Sequence, residues 1–219
     1  MFTLLVRQTG AALRMLLVAI VLLGLAYPLA VWGVARLPGL NGPAEGSVLT
    51  GPDGAPVGSS LIGIDPVAAD PAAAPWFHAR PSASAEDVLG PGDPATSGGS
   101  NQGGFSDKLL DQLGQRRTQI AAREGVAPAQ VPPDAVTASG SGVDPQISRA
   151  YAQLQVPRVA RVTGLPETTV EQLVTDATDP RPLGVLGGPG VNVTRLNLAL
   201  RARECVAVLE HGCALTGEE

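Results

Sequence analysis

Aromatic side chains and lysine are scarce in this chain of 219 residues. Phe, Trp and Tyr make up 3% of the sequence, and Lys108 is the only lysine. A hydrophobic core must therefore be built from Val, Leu, Ile and Ala. The residues after Arg36 carry a net charge of about −8. Because nucleic-acid binding needs clustered Lys and Arg to neutralise phosphates, we expect no nucleic acid as a partner.

Cysteine and histidine are also few. Cys205 and Cys213 both lie near the C-terminus, and the only histidines are His78 and His211. Two cysteines without clustered histidines do not form a zinc site, so no metal ion is expected. The two cysteines could form a disulfide if the C-terminal tail folds back, but on one continuous helix they would lie too far apart. The sequence leaves this choice open.

Familiar catalytic and nucleotide-binding motifs are missing. The chain has neither the GxxxxGK[ST] phosphate loop nor the GxSxG turn of hydrolases, and no Asp-Lys-Thr-Gly-Thr sequence of a phosphorylated P-type pump subunit. His78 could belong to a Ser-His-Asp triad, but nothing singles out a nucleophile, and a structural histidine is favoured. Gly140-Ser141-Gly142 could cradle a phosphate through backbone N–H groups, but a plain loop is favoured.

The chain does contain a long apolar run. Met15 to Ala35 are 21 consecutive residues without a charge. As an α-helix they would span about 31 Å, close to the thickness of the hydrocarbon core of a bilayer. Arg7 and Arg14 precede the run, which predicts a cytoplasmic stub of residues 1–14. The sequence therefore predicts one transmembrane helix, with the rest of the chain outside the cytoplasm.

A cleaved signal peptide is the competing interpretation of this segment. Its apolar core is usually 7–15 residues long, which is shorter than the run seen here, so an uncleaved anchor is favoured. Pro28 lies in the outer half of the run. A proline there leaves a carbonyl without a donor, so Tyr27 and Pro28 are predicted to pack against neighbouring helices.

The remainder predicts an α+β fold in which a mixed α/β extracytoplasmic domain follows the helix. With 27 glycines and 20 prolines, long Gly/Pro-rich loops are expected. The predicted division is a linker at 36–45, a domain at 46–200 and a divergent tail at 201–219. Turn residues and apolar patterning predict a hairpin with strands near 47–50 and 57–64 and a turn at Pro52-Asp53-Gly54. An extended segment is predicted at 131–138, and short strands at 183–186 and 191–193. Caps and periodicity predict helices from Ser106 to Glu124, from Ser148 to Gly164 with an interruption before Pro157, from Pro166 to Ala177, and at 196–200.

Several short segments, taken in order, carry a resemblance to a known family. They are Gly58-Ser59-Ser60-Leu61-Ile62-Gly63, Phe77-His78-Ala79-Arg80-Pro81-Ser82-Ala83, Ser97-Gly98-Gly99-Ser100-Asn101, the run from Val136 to Pro145 with Ile147-Ser148, Gln155-Val156-Pro157-Arg158-Val159-Ala160, and Val191-Asn192-Val193 with Leu196-Asn197-Leu198-Ala199-Leu200. This succession behind one N-terminal span resembles the KdpC family, the C subunit of the high-affinity Kdp potassium-transporting ATPase. Three positions depart from the family pattern: Ala79 replaces a usual Gly, Gln146 a common His, and Arg195 a common acidic residue.

The resemblance implies a non-catalytic subunit of a bacterial inner-membrane potassium pump. Its implied partners are a channel-like potassium-binding subunit, a P-type ATP-hydrolysing subunit and the lipid bilayer. It also implies a role in assembly and as a catalytic chaperone that raises the ATP affinity of the hydrolysing subunit. ATP and potassium then belong to the complex, and no cofactor of this chain is expected. The alternatives from other classes are a membrane-anchored extracytoplasmic hydrolase that uses His78, and an anchored solute-binding module.

The residues of the matching segments, here called the motif residues, are expected to be structural or to lie at subunit interfaces. They are His78, Arg80, Pro81, Ser82, Gly98, Gly99, Ser100, Asn101, Thr137, Ser139, Ser141, Gly142, Asp144, Pro145, Pro157, Arg158, Asn192 and Asn197.

Overall fold

The computed structural model describes residues 2–51 and 54–209, and for residues 182 and 205–209 it describes the backbone alone. The chain forms two compact units, which divide between Ser47 and Val48. The expected mixture of helices and sheet behind one long apolar N-terminal helix is confirmed. The predicted turn residues Pro52 and Asp53, and Cys213 of the tail, lie outside the described residues.

The first unit is dominated by one helical stretch, Phe2–Ala35, which among the described residues is the one helix long and apolar enough to cross a membrane. It consists of α1 (Phe2–Ala19), a π-helical segment (Ile20–Ala26) and α2 (Tyr27–Ala35). Its 34 residues are longer than the roughly 20 that a bilayer core requires. A one-turn helix, α3 (Asn41–Ala44), and an ion pair of 2.8 Å between Arg36 and Glu45 follow it.

Pro28 explains the π-helical segment. Proline has no N–H, and its ring collides with the carbonyl four residues earlier, which here belongs to Gly24. The N–H of Tyr27 bonds the carbonyl of Leu22, five residues back. Immediately before the proline, this hydrogen bond therefore spans one more residue than it would in an α-helix. The disturbance expected at Pro28 therefore takes the form of a π-helical segment.

The second unit begins with a hairpin and contains a small three-stranded sheet. Strands β1 (Val48–Thr50) and β2 (Pro56–Ser59) pair antiparallel, which confirms the hairpin, but the second strand ends at Ser59 and does not reach the predicted end near Ile64. In the other sheet, β5 (Gly190–Asn192) lies between β3 (Gln146–Ile147) and β4 (Thr178–Asp179), and both pairs are antiparallel. The strand predicted near 191–193 is confirmed within a residue.

The strand predicted at 183–186 is wrong. That segment contains a turn at Pro182–Gly184, and Leu183 takes a φ of 53°. Leu183, Val185 and Leu186 are exposed. An apolar run this short, flanked by proline and glycines, becomes a strand only where another strand pairs with it, and none of the described strands does.

Five α-helices complete the described part of this unit, and local cap chemistry sets several of their ends. They are α4 (Asp107–Glu124), α5 (Pro133–Val136), α6 (Arg149–Thr163), α7 (Glu167–Asp176) and α8 (Val193–Leu209). Ser106 and Ser148 accept hydrogen bonds at the N-termini of α4 and α6, and Gly125 and Gly164 end these helices in the left-handed conformation. These boundaries, the start of α7 and the helix at 196–200 confirm the predictions.

Two helix predictions fail. The segment at 131–138 was expected to be extended, but it contains α5, because Pro133 fits the first position of a helix. The interruption before Pro157 does not occur, and α6 continues through it. Pro157 and Gln153 are both exposed, so the carbonyl that loses its donor can be hydrated, while the opposite face of α6 is buried and holds the helix together.

The core of the second unit is built from aliphatic residues with one Phe and one Tyr. It brings together α4, α6, α7, α8 and the three-stranded sheet. Its largest fully buried apolar members are Phe77, Ile120, Tyr151, Val159, Val170, Val174, Val191, Val193, Leu196 and Leu200.

Candidate functional site

Side-chain amides from two helices hold the backbone of residues 77 and 78. Asn197 of α8 accepts from the N–H of Phe77 and donates to its carbonyl, both at 2.8 Å. Gln155 of α6 accepts from the N–H of His78 at 2.8 Å and donates to its carbonyl at 3.2 Å. All four residues are buried. Asn197 and Gln155 thus satisfy the backbone N–H and C=O groups of this irregular segment, as a neighbouring strand would in a sheet.

A buried ionic network lies beside this clamp. Glu124, at the end of α4, accepts from Arg123 at 2.6 Å and from Arg158 at 2.9 Å. Arg158 also donates to the carbonyls of Ala74 and Trp76. Arg123 donates to the hydroxyl of Tyr151 at 2.9 Å. Burial lowers the pKa of Arg158 and raises the pKa of Tyr151.

The serine and glycine residues at 139–142 form a closed loop. The hydroxyl of Ser139 accepts from the N–H groups of Ser141 and Gly142, and the hydroxyl of Ser141 accepts from the N–H of Val143. The N–H groups of Ser141 and Gly142, two of the three in the predicted phosphate cradle, therefore already have acceptors. This supports the plain-loop interpretation.

Two further motif segments converge on this loop. Gly98 donates its N–H to the Ser141 carbonyl at 2.7 Å. A Cβ atom at Gly99 would come within 3.0 Å of the Gly140 carbonyl oxygen. Ser139 donates its N–H to the carbonyl of Pro81 at 2.9 Å. The segments at 81–82, 97–99 and 139–142 therefore form one packed cluster.

Arg80 anchors the other side of the same loop. Its guanidinium donates to the carbonyls of Thr137 and Ala138 and lies 3.6 Å from Asp144. The carboxylate of Asp144 accepts from the N–H of Gln146 at 3.0 Å. Arg80 thus ties together both ends of the 137–144 loop.

The start of α8 binds the segment after the hairpin. Asn192 donates to the Ser60 carbonyl at 2.8 Å and accepts from the N–H of Arg195, so it also caps the helix. Thr194 donates to the Ile62 carbonyl at 2.8 Å. The matching segments at 58–63 and 191–200, far apart in sequence, are therefore packed together.

Four motif residues have other surroundings. Pro145 is buried and its carbonyl accepts from Val193, whereas Pro157 is exposed on α6. Ser100 and Asn101 are exposed beside the serine–glycine cluster, and Asn101 has a φ of 50°. Tyr27 and Pro28 lie in the first unit with exposed side chains.

Two of the departures from the family pattern meet at one carboxylate. Asp179 of β4 accepts from the side-chain amide of Gln146 at 3.2 Å and forms an ion pair with Arg195. Gln146 and Arg195 are therefore coupled through Asp179, and an acidic residue at 195 would instead place two carboxylates side by side.

One ring nitrogen of His78 is hydrogen-bonded and the other has no partner among the described residues. Its Nδ1 lies 2.6 Å from the carboxylate of Asp65, and its Nε2 is buried without a hydrogen-bond partner among the described residues. Burial lowers the pKa of His78, although the bond to Asp65 opposes the shift. The neutral ring therefore carries its proton on Nδ1 and presents an acceptor lone pair at Nε2.

We expect this histidine to make the second unit less stable in mild acid. The unfolded chain takes up a proton at the ordinary histidine pKa of about 6.5, which the folded ring resists. The free energy of unfolding should be fully retained above that pH and fall as the pH drops below it, towards the folded pKa. Urea unfolding of the full chain in detergent micelles between pH 7.5 and 5 measures this effect.

The His78→Asn variant is the matched control, because it keeps a donor towards Asp65 and does not titrate. The free energy of unfolding of this variant should depend less steeply on pH in this range than that of the unmodified chain. Equal slopes would contradict a buried neutral histidine.

Sequence reasoning did not select Asp65, Glu124, Tyr151 or Gln155 as site residues. Glu124 and Tyr151 carry no distinguishing pattern, since each is one residue within an amphipathic helix. Gln155 was part of a matching segment, and its position directly before Val156-Pro157-Arg158 was the one available signal. Their importance depends on contacts across 13 to 77 positions of sequence.

Comparison with known proteins adds an independent result. The family model described as KdpC, K+-transporting ATPase, c chain, matches residues 9–202. The potassium-transporting ATPase KdpC subunit of Kineococcus radiotolerans is 48% identical over 198 residues, which cover 90% of this chain and 95% of the relative. That of Mycobacterium tuberculosis is 45% identical over 196 residues (89% and 97%), and that of Caulobacter vibrioides 46% over 184 residues (84% and 87%).

Proposed function

The chain belongs to the KdpC family of potassium-transporting ATPase subunits, and from that premise we propose that it is an accessory, non-catalytic subunit. It assembles with the channel-like potassium-binding subunit and the P-type ATP-hydrolysing subunit of the same pump. Its N-terminal helix lies in the cell membrane with the N-terminus in the cytoplasm, and the second unit lies outside. In this position it acts as a catalytic chaperone that raises the ATP affinity of the hydrolysing subunit.

The observation that supports the non-catalytic role is that most motif residues form hydrogen bonds within the second unit itself. Most of them bond other motif segments or the backbone of the same unit, as in the Arg80, Ser139, Asn192 and Asn197 contacts. A catalytic site instead places a nucleophile, its base and oxyanion donors around an open space. The motif residues thus support a rigid scaffold whose surface is available to partner subunits.

The hydrolase alternative has limited support from the structure. Asp65 and His78 form a dyad of the kind that orients a catalytic histidine. A triad also needs a hydroxyl bonded to the other ring nitrogen, and among the described residues Nε2 of His78 has no such partner. The clamp of Gln155 on the His78 backbone favours a structural histidine.

The proposed orientation makes any effect on ATP indirect. A domain outside the membrane does not touch a nucleotide in the cytoplasm, so the coupling has to pass through the helix or through the partner subunits. Exposed side chains along the whole helical stretch leave faces free to pack on partner helices, and the π-helical segment near Pro28 offers an irregular surface for such packing.

Purification of the pump with and without this chain tests the proposal. With the chain present, affinity purification from membranes should recover two large membrane proteins and a potassium-stimulated ATPase. Without it, assembly should be impaired, and the apparent KM for ATP of any remaining complex should rise about tenfold, a typical size for coupling between sites. A chain recovered as a lone monomer would overturn the assembly role, and an unchanged KM would overturn the chaperone role.

His78→Asn should leave potassium uptake intact.

The solute-binding alternative is favoured by one specific observation, a cleft in the second unit. Its volume is about 860 Å³, within the range of small-molecule sites. A binding role there is compatible with an accessory subunit, and the chemistry of the cleft indicates what it accepts.

A further inference from the structure

The cleft lies between the 65–72 segment, the 84–93 loop and one end of α4. Five carboxylates and one guanidinium are among its lining groups: Asp65, Asp70, Glu86, Asp87, Asp93 and Arg123. Pro66, Val67, Leu89 and Pro91 provide apolar parts of the wall. The cleft is therefore acidic, with room for a carbon skeleton.

The one guanidinium of the lining does not neutralise the remaining acids. Arg123 is buried and engaged with Glu124 and Tyr151, and Asp65 is engaged with His78. Within the described part of the chain, Asp70, Glu86, Asp87 and Asp93 form no ion pair. Hydrogen bonds from Thr96 and from the N–H of Ala95 lower the pKa of Asp93, which keeps it ionised.

His78 is an independent observation that points to a ligand in this cleft. Its side chain is buried and lines the cleft. Its Nε2 is an acceptor without a donor among the described residues, and such groups in native proteins call for an explanation. A ligand that brings an N–H group to this ring would satisfy the acceptor.

We propose that the cleft binds an organic cation that bears N–H donors, of the alkylammonium or guanidinium class. The carboxylates attract its charge, the apolar wall covers its carbon atoms, and the buried His78 acceptor takes one N–H. An anion would be repelled by the four unpaired carboxylates. A metal ion is disfavoured, because among the side chains that the structure describes no three of His, Cys, Asp or Glu come together as a metal site. The cation is either a free amine or the side chain of a Lys or Arg from a neighbouring subunit.

Calorimetric titration of the full chain in detergent micelles, at low ionic strength, tests this inference. Agmatine, which carries both a guanidinium and an ammonium group, should bind saturably with one site per chain. Hexamethonium, a bis-quaternary dication, has the same charge but no N–H donor, and its binding should be at least tenfold weaker. Potassium chloride at matched ionic strength should give no saturable heat. Equal affinities for agmatine and hexamethonium, or no saturable binding of agmatine, would overturn the proposal.

Matched variants locate the site. Asp87→Asn removes one exposed carboxylate of the cleft and should weaken agmatine binding several-fold. Glu171→Gln on α7 removes the same charge from an exposed position that does not line the cleft, and should leave binding unchanged. His78→Asn should weaken binding at least tenfold. If the His78 variant is also less stable, the comparison of the Asp87 and Glu171 variants tests the location of the site. Equal effects of those two variants on agmatine affinity would refute the site.

The assembled pump distinguishes the two sources of the cation. Agmatine that binds both the free chain and the complex points to a free amine. Agmatine that binds the free chain but not the complex points to a basic side chain of a neighbouring subunit. The readout here is ligand binding, not ATP hydrolysis or potassium uptake. A failure to bind agmatine would therefore not contradict the accessory role of the chain, and a failure of the accessory role would not contradict ligand binding in the cleft.

Discussion

Replacing Arg158 by Ala is expected to lower the free energy of unfolding of the second unit by roughly 3–5 kcal/mol, the usual cost of breaking a buried ion pair from one side. Arg158 is 2% exposed, and its guanidinium bonds Glu124, Gln155 and two backbone carbonyls. Its removal leaves Glu124 with one cationic partner and leaves the carbonyls of Ala74 and Trp76 without this donor.

The measurement is urea unfolding of the full chain in detergent micelles, followed by the fluorescence of Trp76. Arg161→Ala is the matched control, because Arg161 lies one turn further along α6, is exposed, and makes a single hydrogen bond to the Ala72 carbonyl. Its loss should cost less than about 0.5 kcal/mol. Similar costs for the two arginines would show that the network around Glu124 does not stabilise the fold.

Gly142→Ala is expected to destabilise the second unit by roughly 2–4 kcal/mol, because two separate penalties add. Gly142 has a φ of 74°, which an L-residue with a Cβ adopts only at a cost. A Cβ atom there would also lie 2.8 Å from the carbonyl oxygen of Gly98, a backbone atom that cannot easily move away. The substitution should therefore separate the 97–99 segment from the serine–glycine loop.

Gly140→Ala provides the control two residues away. A Cβ atom at Gly140 would have no neighbour within 4 Å, and Gly140 does not have a positive φ. Its unfolding free energy should stay within about 0.5 kcal/mol of the unmodified chain. The same urea titration measures both variants, and a Gly142 variant as stable as the Gly140 variant would refute close packing of these loops.

The predictions that succeeded concern local chemistry. Ser106 and Gly125 bound α4, and Ser148 and Gly164 bound α6, because a side-chain cap or a left-handed glycine acts on backbone groups a few residues away. The long apolar helix follows likewise from its own composition. The failures at 131–138, 157 and 183–186 concern segments whose local signals are weak or are overruled by burial.

The two-residue strands β3 and β4 were missed for a related reason. Gln146–Ile147 and Thr178–Asp179 have no strand pattern of their own and are strands because they pair with β5. For the candidate site, resemblance selected the Arg80, Ser139, Gly142 and Asn197 positions together, but it did not say what each one contacts.

The sequence by itself therefore determined the apolar helix, the helix caps and the family, because these depend on residue type and order along the chain. The tertiary structure alone decided that Gln155 and Asn197 clamp residues 77 and 78, that Glu124 joins two arginines, and that His78 faces an acidic cleft. The physical reason is that a buried polar group needs a hydrogen-bond partner, and the fold supplies that partner from as many as 132 positions away in the sequence.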